Sequence, residues 1–263
     1  MGISLEIERT QLAGFDRYDN ILKLFIHQRS SWTAIDIAHE LGGAQSTVYR
    51  TVRELVAAGF LESTIEAHYR LGPAFLEFEY SMRASDPLVR SGAIFLETLV
   101  EQAGVSCSAV LARLYGNRVM CVADAHSSDV TQETSFKRGR PMPILLSATS
   151  KAILAGLPGR RREQLFDAVG PENPEERQSL TEELKNIKKR GISITSGELD
   201  KGAVGLASLV RNQSLGINAS LSLILATKDY DESIKPRLLS LLTSNAKLIE
   251  NFMEDAHKGM LHP

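Results

Sequence analysis

Cysteine is scarce in this chain of 263 residues: Cys107 and Cys121 are the two present. That is too few for a disulfide framework, and both are expected as reduced core residues. No apolar run approaches the ~20 residues that a membrane helix needs, and no charged-then-apolar leader follows Met1. The expectation is a cytoplasmic protein with no membrane partner. Basic excess is also missing, because 30 Lys+Arg face 32 Asp+Glu for a formal net charge of −2, so any nucleic-acid footprint must be local. The six histidines, His27, His39, His68, His126, His257 and His262, show no paired spacing with cysteine or carboxylate, so neither metal nor cofactor is expected. A phosphate-binding glycine loop and internal repeats are absent too. What remains is a globular composition, 43% hydrophobic, on a chain longer than one core commonly needs, so two domains are expected.

The most informative stretch is Trp32 to Leu61, WTAIDIAHELGGAQSTVYRTVRELVAAGFL. Ala34, Ile37, Ala38 and Leu41 recur at helical spacing, with Thr33 as N-cap and Gly42-Gly43 as terminator. In the second half Val48, Val52, Leu55 and Val56 form one apolar stripe, which places Ser46, Arg50 and Arg53 opposite, flanked by Gln45, Thr47 and Tyr49. No acid interrupts that face before Glu54. Arg can fork onto guanine or phosphate, Gln can pair with adenine, and hydroxyls suit phosphate oxygens, so the face is read as a contact surface for duplex DNA. An ordinary two-helix hairpin with a solvated face is the bland alternative.

Downstream, Gly59 to Glu62 and His68 to Gly72 suggest two short strands around a loop, a wing whose Arg70 or His68 meets the DNA backbone. Upstream, Tyr18, Ile21, Leu22 and Phe25 supply a third helix. The expected organisation is a winged helix-turn-helix over residues 13–73, a linker helix over 74–85 and a larger domain over 86–258. Exposed apolar residues of the linker, Phe75, Leu76 and Phe78, would pack on a second copy or on their own subunit.

The larger part alternates strands and helices, an α+β arrangement with a mixed or antiparallel sheet. Asp86-Pro87 opens a helix expected to run to about Ala103. Strands are expected at Ser108–Tyr115, Arg118–Ala125, Thr131–Phe136, Ile192–Thr195, Leu206–Val210 and Gly216–Ala226. Helices are expected at Ser147–Ala155, Arg160–Ala168 and Leu180–Arg190, with a closing helix carrying Ile234, Leu238, Leu241, Leu242, Leu248, Ile249 and Phe252. The acidic run Glu172 to Glu176 with Pro171 and Pro174 reads as loop, and Lys137 to Arg140 as a solvated turn. Alternation along the last strand puts Ser220 and Ser222 beside Ile224 on one face, either bonding neighbouring backbone or lining a small polar cavity. Cys121, Asp124 and His126 tempt toward a nucleophile, base and orienter, yet alternation sets Cys121 opposite the other two.

These residues resemble the IclR family of transcription regulators over nearly the whole chain. QSTVYRTVRELVAAGFLE is similar to the family's recognition helix, Gly191 to Asn212 follows its effector-domain signature, and Arg140 to Ala155 looks like its loop and helix beside the ligand. The resemblance implies a GAF-like α/β effector-binding domain, operator DNA and a small organic or aromatic acid as partners, and a homodimer or tetramer. Carried onto this chain, the effector site would be lined by Leu145, Leu146, Ala148, Thr149, Thr195, Gly205, Ser220, Ser222 and Ile224. Thr195 stands where the signature has an acid or serine, Gly205 where it has cysteine or another small residue, Arg211 where an aromatic, His or Leu is usual, and Leu145 where histidine is frequent. Those changes imply a roomier, less polar pocket and a larger, more apolar effector.

Two functional classes follow. In the first, the chain is expected to be a ligand-responsive DNA-binding regulator of a catabolic operon, a repressor and no enzyme; the alternative is a small-molecule hydrolase with an accessory DNA-binding-like domain and Ser220, Ser222 or Thr149 as nucleophile.

Overall fold

The structure, a computed structural model, describes residues 14–130 and 133–261, with side chains as far as Asp255. The chain divides into two compact units between Arg83 and Ala84.

The first unit comprises α1 (Phe15–His27), β1 (Trp32–Thr33), α2 (Ala34–Leu41), α3 (Gln45–Ala57), β2 (Leu61–Ser63), β3 (His68–Leu71) and α4 (Ala74–Ser85), whose last two residues lie past the boundary. Thr33 caps α2 by accepting the Asp36 N–H at 3.1 Å, and Gly42, at φ 62°, closes it in the left-handed region that favours glycine. Ile21, Phe25, Ile37, Val52 and Leu61 meet around Trp32, whose indole donates to the Arg29 carbonyl at 3.0 Å while the Arg29 guanidinium lies 3.9 Å over its ring. Leu41, expected in this core, is 38% exposed on the last turn of α2. Thr51 instead is buried, its hydroxyl donating to the Thr47 carbonyl at 3.0 Å.

The three strands pair antiparallel in the order β1-β3-β2. Gly72 closes the hairpin so tightly that a Cβ there would lie 2.2 Å from the Gly59 carbonyl oxygen. Backbone, unlike a side-chain tip, cannot step aside. Gly72→Ala is therefore expected to cost about 1–3 kcal/mol, read as a lower urea midpoint of Trp32 fluorescence.

The second unit runs α5 (Pro87–Gly92), α6 (Leu96–Ala103), β4 (Cys107–Tyr115), β5 (Arg118–His126), β6 (Pro141–Met142), α7 (Ser147–Gly156), α8 (Gly159–Val169), α9 (Pro174–Arg190), β7 (Ile192–Ser196), β8 (Ala203–Asn212), β9 (Ile217–Ala226) and α10 (Lys235–Leu261). Its six strands stand in the order β6-β5-β4-β9-β8-β7, every neighbouring pair antiparallel. Leu111, Leu206, Leu221 and Leu223 face α5, α6 and α10 on one side. On the other, Val110, Ala112 and Ile224 join a cluster with Ile153 and Leu154 of α7 and Leu184 of α9.

Several elements depart from expectation. The helix opened by Asp86, whose carboxylate accepts the Leu88 N–H at 2.8 Å, breaks into a 3₁₀ turn at Ala93–Phe95 before α6 resumes. Of the strand expected at Thr131–Phe136, Thr131 and Gln132 lie outside the described residues, and 133–136 form no strand. There the Thr134 hydroxyl accepts the Phe136 N–H at 3.1 Å, a local bond that competes with a ladder. Of the acidic run read as loop, Pro171 to Asn173 are irregular as expected, but Pro174 to Glu176 form the first turn of α9, because Asn173 accepts the Glu175 N–H at 2.8 Å and Pro174 fits N1. On α10, Leu248 and Phe252 are about half exposed while Ala246 and Met253 are buried.

Candidate functional site

Two surfaces carry chemistry. On α3 the exposed side is made by Gln45, Ser46, Tyr49, Arg50 and Arg53, with Thr47 half-buried, while Val48, Val52 and Leu55 point inward. Ala44, the N-cap, offers no side-chain oxygen to the first amides, and no acid stands in the first turn. The free amides and the positive dipole end therefore face outward for an anion. In the wing, the cross-strand register sets Arg70 opposite Glu62, and the two side chains pair. Arg70, expected to be free for DNA, is thus tied to a carboxylate, though an exposed pair of this kind is worth about 1 kcal/mol or less. The wing tip carries the exposed Ile65 and Glu66.

In the second unit a cavity of about 30 Å³ lies at the start of α7, lined by Phe136, Ser147, Ala148, Thr149, Thr195, Gly197, Glu198, Leu199, Asp200, Ala203, Gly205 and Ile224. Five of the nine residues expected there are brought together: Ala148, Thr149, Thr195, Gly205 and Ile224. The other four are not among the lining residues. Leu145 packs into the apolar cluster beneath and Leu146 turns outward, 42% exposed. Ser220 donates to the Thr149 carbonyl at 3.1 Å and Ser222 bonds the Thr149 hydroxyl at 3.0 Å, both serines fully buried. Their hydroxyls fasten α7 to the sheet instead of lining a cavity.

The cavity is small rather than roomy, about 30 Å³, and partly open to the surface. Phe136 and Leu199 supply apolar lining, and the helix start already has partners. The Ser147 N–H donates to Glu198 at 3.1 Å and the Ala148 N–H to the Thr195 hydroxyl at 2.9 Å. Ser147 sits at φ 78°, unusual for a non-glycine residue. Lys151, 7% exposed, donates to Glu183 at 2.8 Å and to Glu198 at 2.6 Å. Burial alone would lower the Lys151 pKa; the bonds to Glu183 and Glu198 together outweigh it and hold the ammonium above its ordinary value. Asp200 accepts the Ser135 N–H at 2.9 Å and also its hydroxyl.

Lys151, Glu198, Asp200 and Phe136 escaped the sequence reading. One signal was present: a single charge in the otherwise apolar and small helix SATSKAILAG needs a buried acid nearby.

A third cluster shows why the expected alternation failed. Leu111 pairs with Ala123 but Ala112 with Cys121, so Val122 is an extra residue in β5. The bulge returns Asp124 to the side of Cys121, 4.0 Å from Sγ to Oδ1, contrary to the opposite placement expected. His126 bonds Asp124 at 2.7 Å and Ser108 at 2.8 Å, but Ser108 is 1% exposed. Burial, aided by the Asp124 charge, pushes the Cys121 thiol up to about 12, and burial pushes Cys107 up to about 11. Neither is a nucleophile near neutral pH. Both are expected to resist alkylation at pH 8 and to react once urea unfolds the chain. Since folding raises both above 9.0, their contribution to stability is full below that pH and is lost as pH rises through 11 to 12.

Among the described residues no cluster suited to a metal ion occurs, and no helix is long and apolar enough to cross a membrane.

Comparison with known proteins bears on both surfaces. A family model described as the IclR helix-turn-helix domain matches residues 16–64, and one described as the C-terminal part of the bacterial transcriptional regulator IclR matches residues 82–251. The chain is 29% identical over 220 residues to the HTH-type transcriptional regulator BhcR of Paracoccus denitrificans, covering 80% of this chain and 77% of that protein. It has the fold of an IclR homologue from Microbacterium hydrocarbonoxydans crystallised with 4-hydroxybenzoate, at TM-score 0.75 and 23% identity over 92% of this chain and 99% of the other. A regulator from Alicyclobacillus acidocaldarius gives 0.76 and 21% over 92% and 99%. With α3 displayed as a reading helix and the second model alone matching more than half the length, the chain belongs to the IclR family of transcription regulators.

Proposed function

We propose that this regulator is a cytoplasmic repressor of a catabolic operon, without enzymatic activity, that pairs as a homodimer, or as a tetramer, on operator DNA and is released by a small organic or aromatic acid. The observation that carries it is the pairing of an unobstructed reading helix in one unit with a lined cavity at a helix start in the other. Arg50 and Arg53 reach base edges or phosphates, Gln45, Ser46, Thr47 and Tyr49 support them, and Arg70 exchanges Glu62 for a phosphate. Ala148, Thr149, Thr195, Gly205 and Ile224 belong to the effector site. An aromatic acid is favoured by Phe136, Leu199 and Ile224 at that site, and by the fold relative crystallised with 4-hydroxybenzoate. Exposed Leu76 and Tyr80, one turn apart on α4, supply an apolar patch for a second copy.

Footprinting on the DNA upstream of its own gene tests this. Protection of two half-sites about one helical turn apart, weakened by an aromatic acid, is expected. No protected bases at low ionic strength, with or without acids, would overturn it.

A further inference from the structure

We propose that the Glu198 carboxylate is a resident occupant of the anion cradle at the start of α7, and that a carboxylate effector binds by taking its place. The inference rests on the reading of the second unit as the effector sensor. Glu198 makes the contacts a bound carboxylate would make: one oxygen accepts the Ser147 N–H at 3.1 Å, the other the Lys151 ammonium at 2.6 Å.

Charge decides how the site admits an acid. Lys151 faces Glu183 and Glu198, with Asp200 also on the cavity wall, so one cation stands among three carboxylates. A fourth carboxylate added to this set meets net repulsion at low dielectric. If Glu198 swings out as the ligand enters, the count is unchanged and Lys151 keeps Glu183. The Glu198 side chain, already 30% exposed, has a path to solvent, and the incoming carboxylate restores the contacts to Lys151 and the Ser147 amide that its departure breaks. Space follows from the same movement. Glu198 sits between Gly197 and Gly202, both at positive φ, in the turn joining β7 to β8, and it ties that turn to α7. Releasing it enlarges a cavity that is now only about 30 Å³, while Phe136, Leu199 and Ile224 remain to meet an apolar tail. The occupant also sets specificity. A neutral analogue does not satisfy Lys151 and the Ser147 amide together, so it does not repay displacement of Glu198.

The test follows the Ser147 and Ala148 amide NMR signals while wild type, Glu198→Ala and Glu198→Gln are titrated with acetate, benzoate and benzamide. Glu198→Gln keeps the side-chain volume and guards against misfolding. Glu198→Ala is expected to take up acetate saturably at a midpoint at least tenfold below wild type, with benzoate shifted likewise and benzamide unmoved. Equal acetate midpoints in all three proteins, or none in any, overturn the proposal. Binding to upstream DNA, measured in parallel, separates the two readings. Acetate filling the cradle of Glu198→Ala with unchanged DNA affinity leaves the cradle standing and removes the regulatory role of this unit. Benzoate weakening wild-type DNA binding with the Ser147 amide unmoved does the reverse.

Discussion

Arg50→Ala combined with Arg53→Ala is expected to lower operator affinity by about a thousandfold while leaving the fold intact. Both side chains are exposed on α3, so their loss removes no packing. A well-placed arginine contact is worth about 1–3 kcal/mol. Two arginines, each used twice in the proposed homodimer, come to about 4 kcal/mol at the lower bound, and 1.4 kcal/mol is tenfold. The single variants separate the roles. An arginine on a base edge, once removed, relaxes sequence preference; one on a phosphate weakens all sequences alike and reduces the salt slope by about 1. Fluorescence anisotropy on operator and scrambled duplexes reads both. An affinity within twofold of wild type for the double variant would show that another surface grips the DNA.

Ile37→Ala should unfold the first unit at a denaturant concentration that leaves the second folded. Ile37 is fully buried beside Trp32, and deleting such a side chain costs about 2–5 kcal/mol through lost transfer energy and the remaining cavity. A unit of this size has about 4–10 kcal/mol in total. Trp32 is the single tryptophan, so its fluorescence reports this unit alone, whereas far-ultraviolet circular dichroism reports both. The expected result is one early fluorescence transition and a later dichroism step at the wild-type midpoint. A single coincident transition, shifted for both probes, would mean that the units unfold as one.

Much of this architecture was legible because the signals are local. Thr33, Gly42 and the Val48–Val52–Leu55 stripe mark α2 and α3 by cap chemistry and period alone, and the alternation of β9 sorted Ala219, Leu221 and Leu223 to the side where they lie. What escaped depends on residues far apart in sequence. The bulge at Val122 inverts an alternation that assumes an unbroken ladder. Ser220 and Ser222 were legible as inward hydroxyls, but their Thr149 partners come from another element. The lining of the cavity by Phe136 and Leu199 depends on loops whose course no periodicity encodes.

The acid-tethered wing has a consequence for how this regulator finds its target. With Glu62 paired to Arg70, and Glu66 beside the exposed Ile65 at the tip, the wing sets two carboxylates against its one arginine, and an arbitrary phosphate must compete with Glu62 for it. Loose, sequence-blind adhesion scales with such cations. One-dimensional sliding should therefore be short-lived, with arrival governed by repeated three-dimensional encounters and residence decided at the groove floor. Crowding by bulk chromosome would then sequester little of the pool.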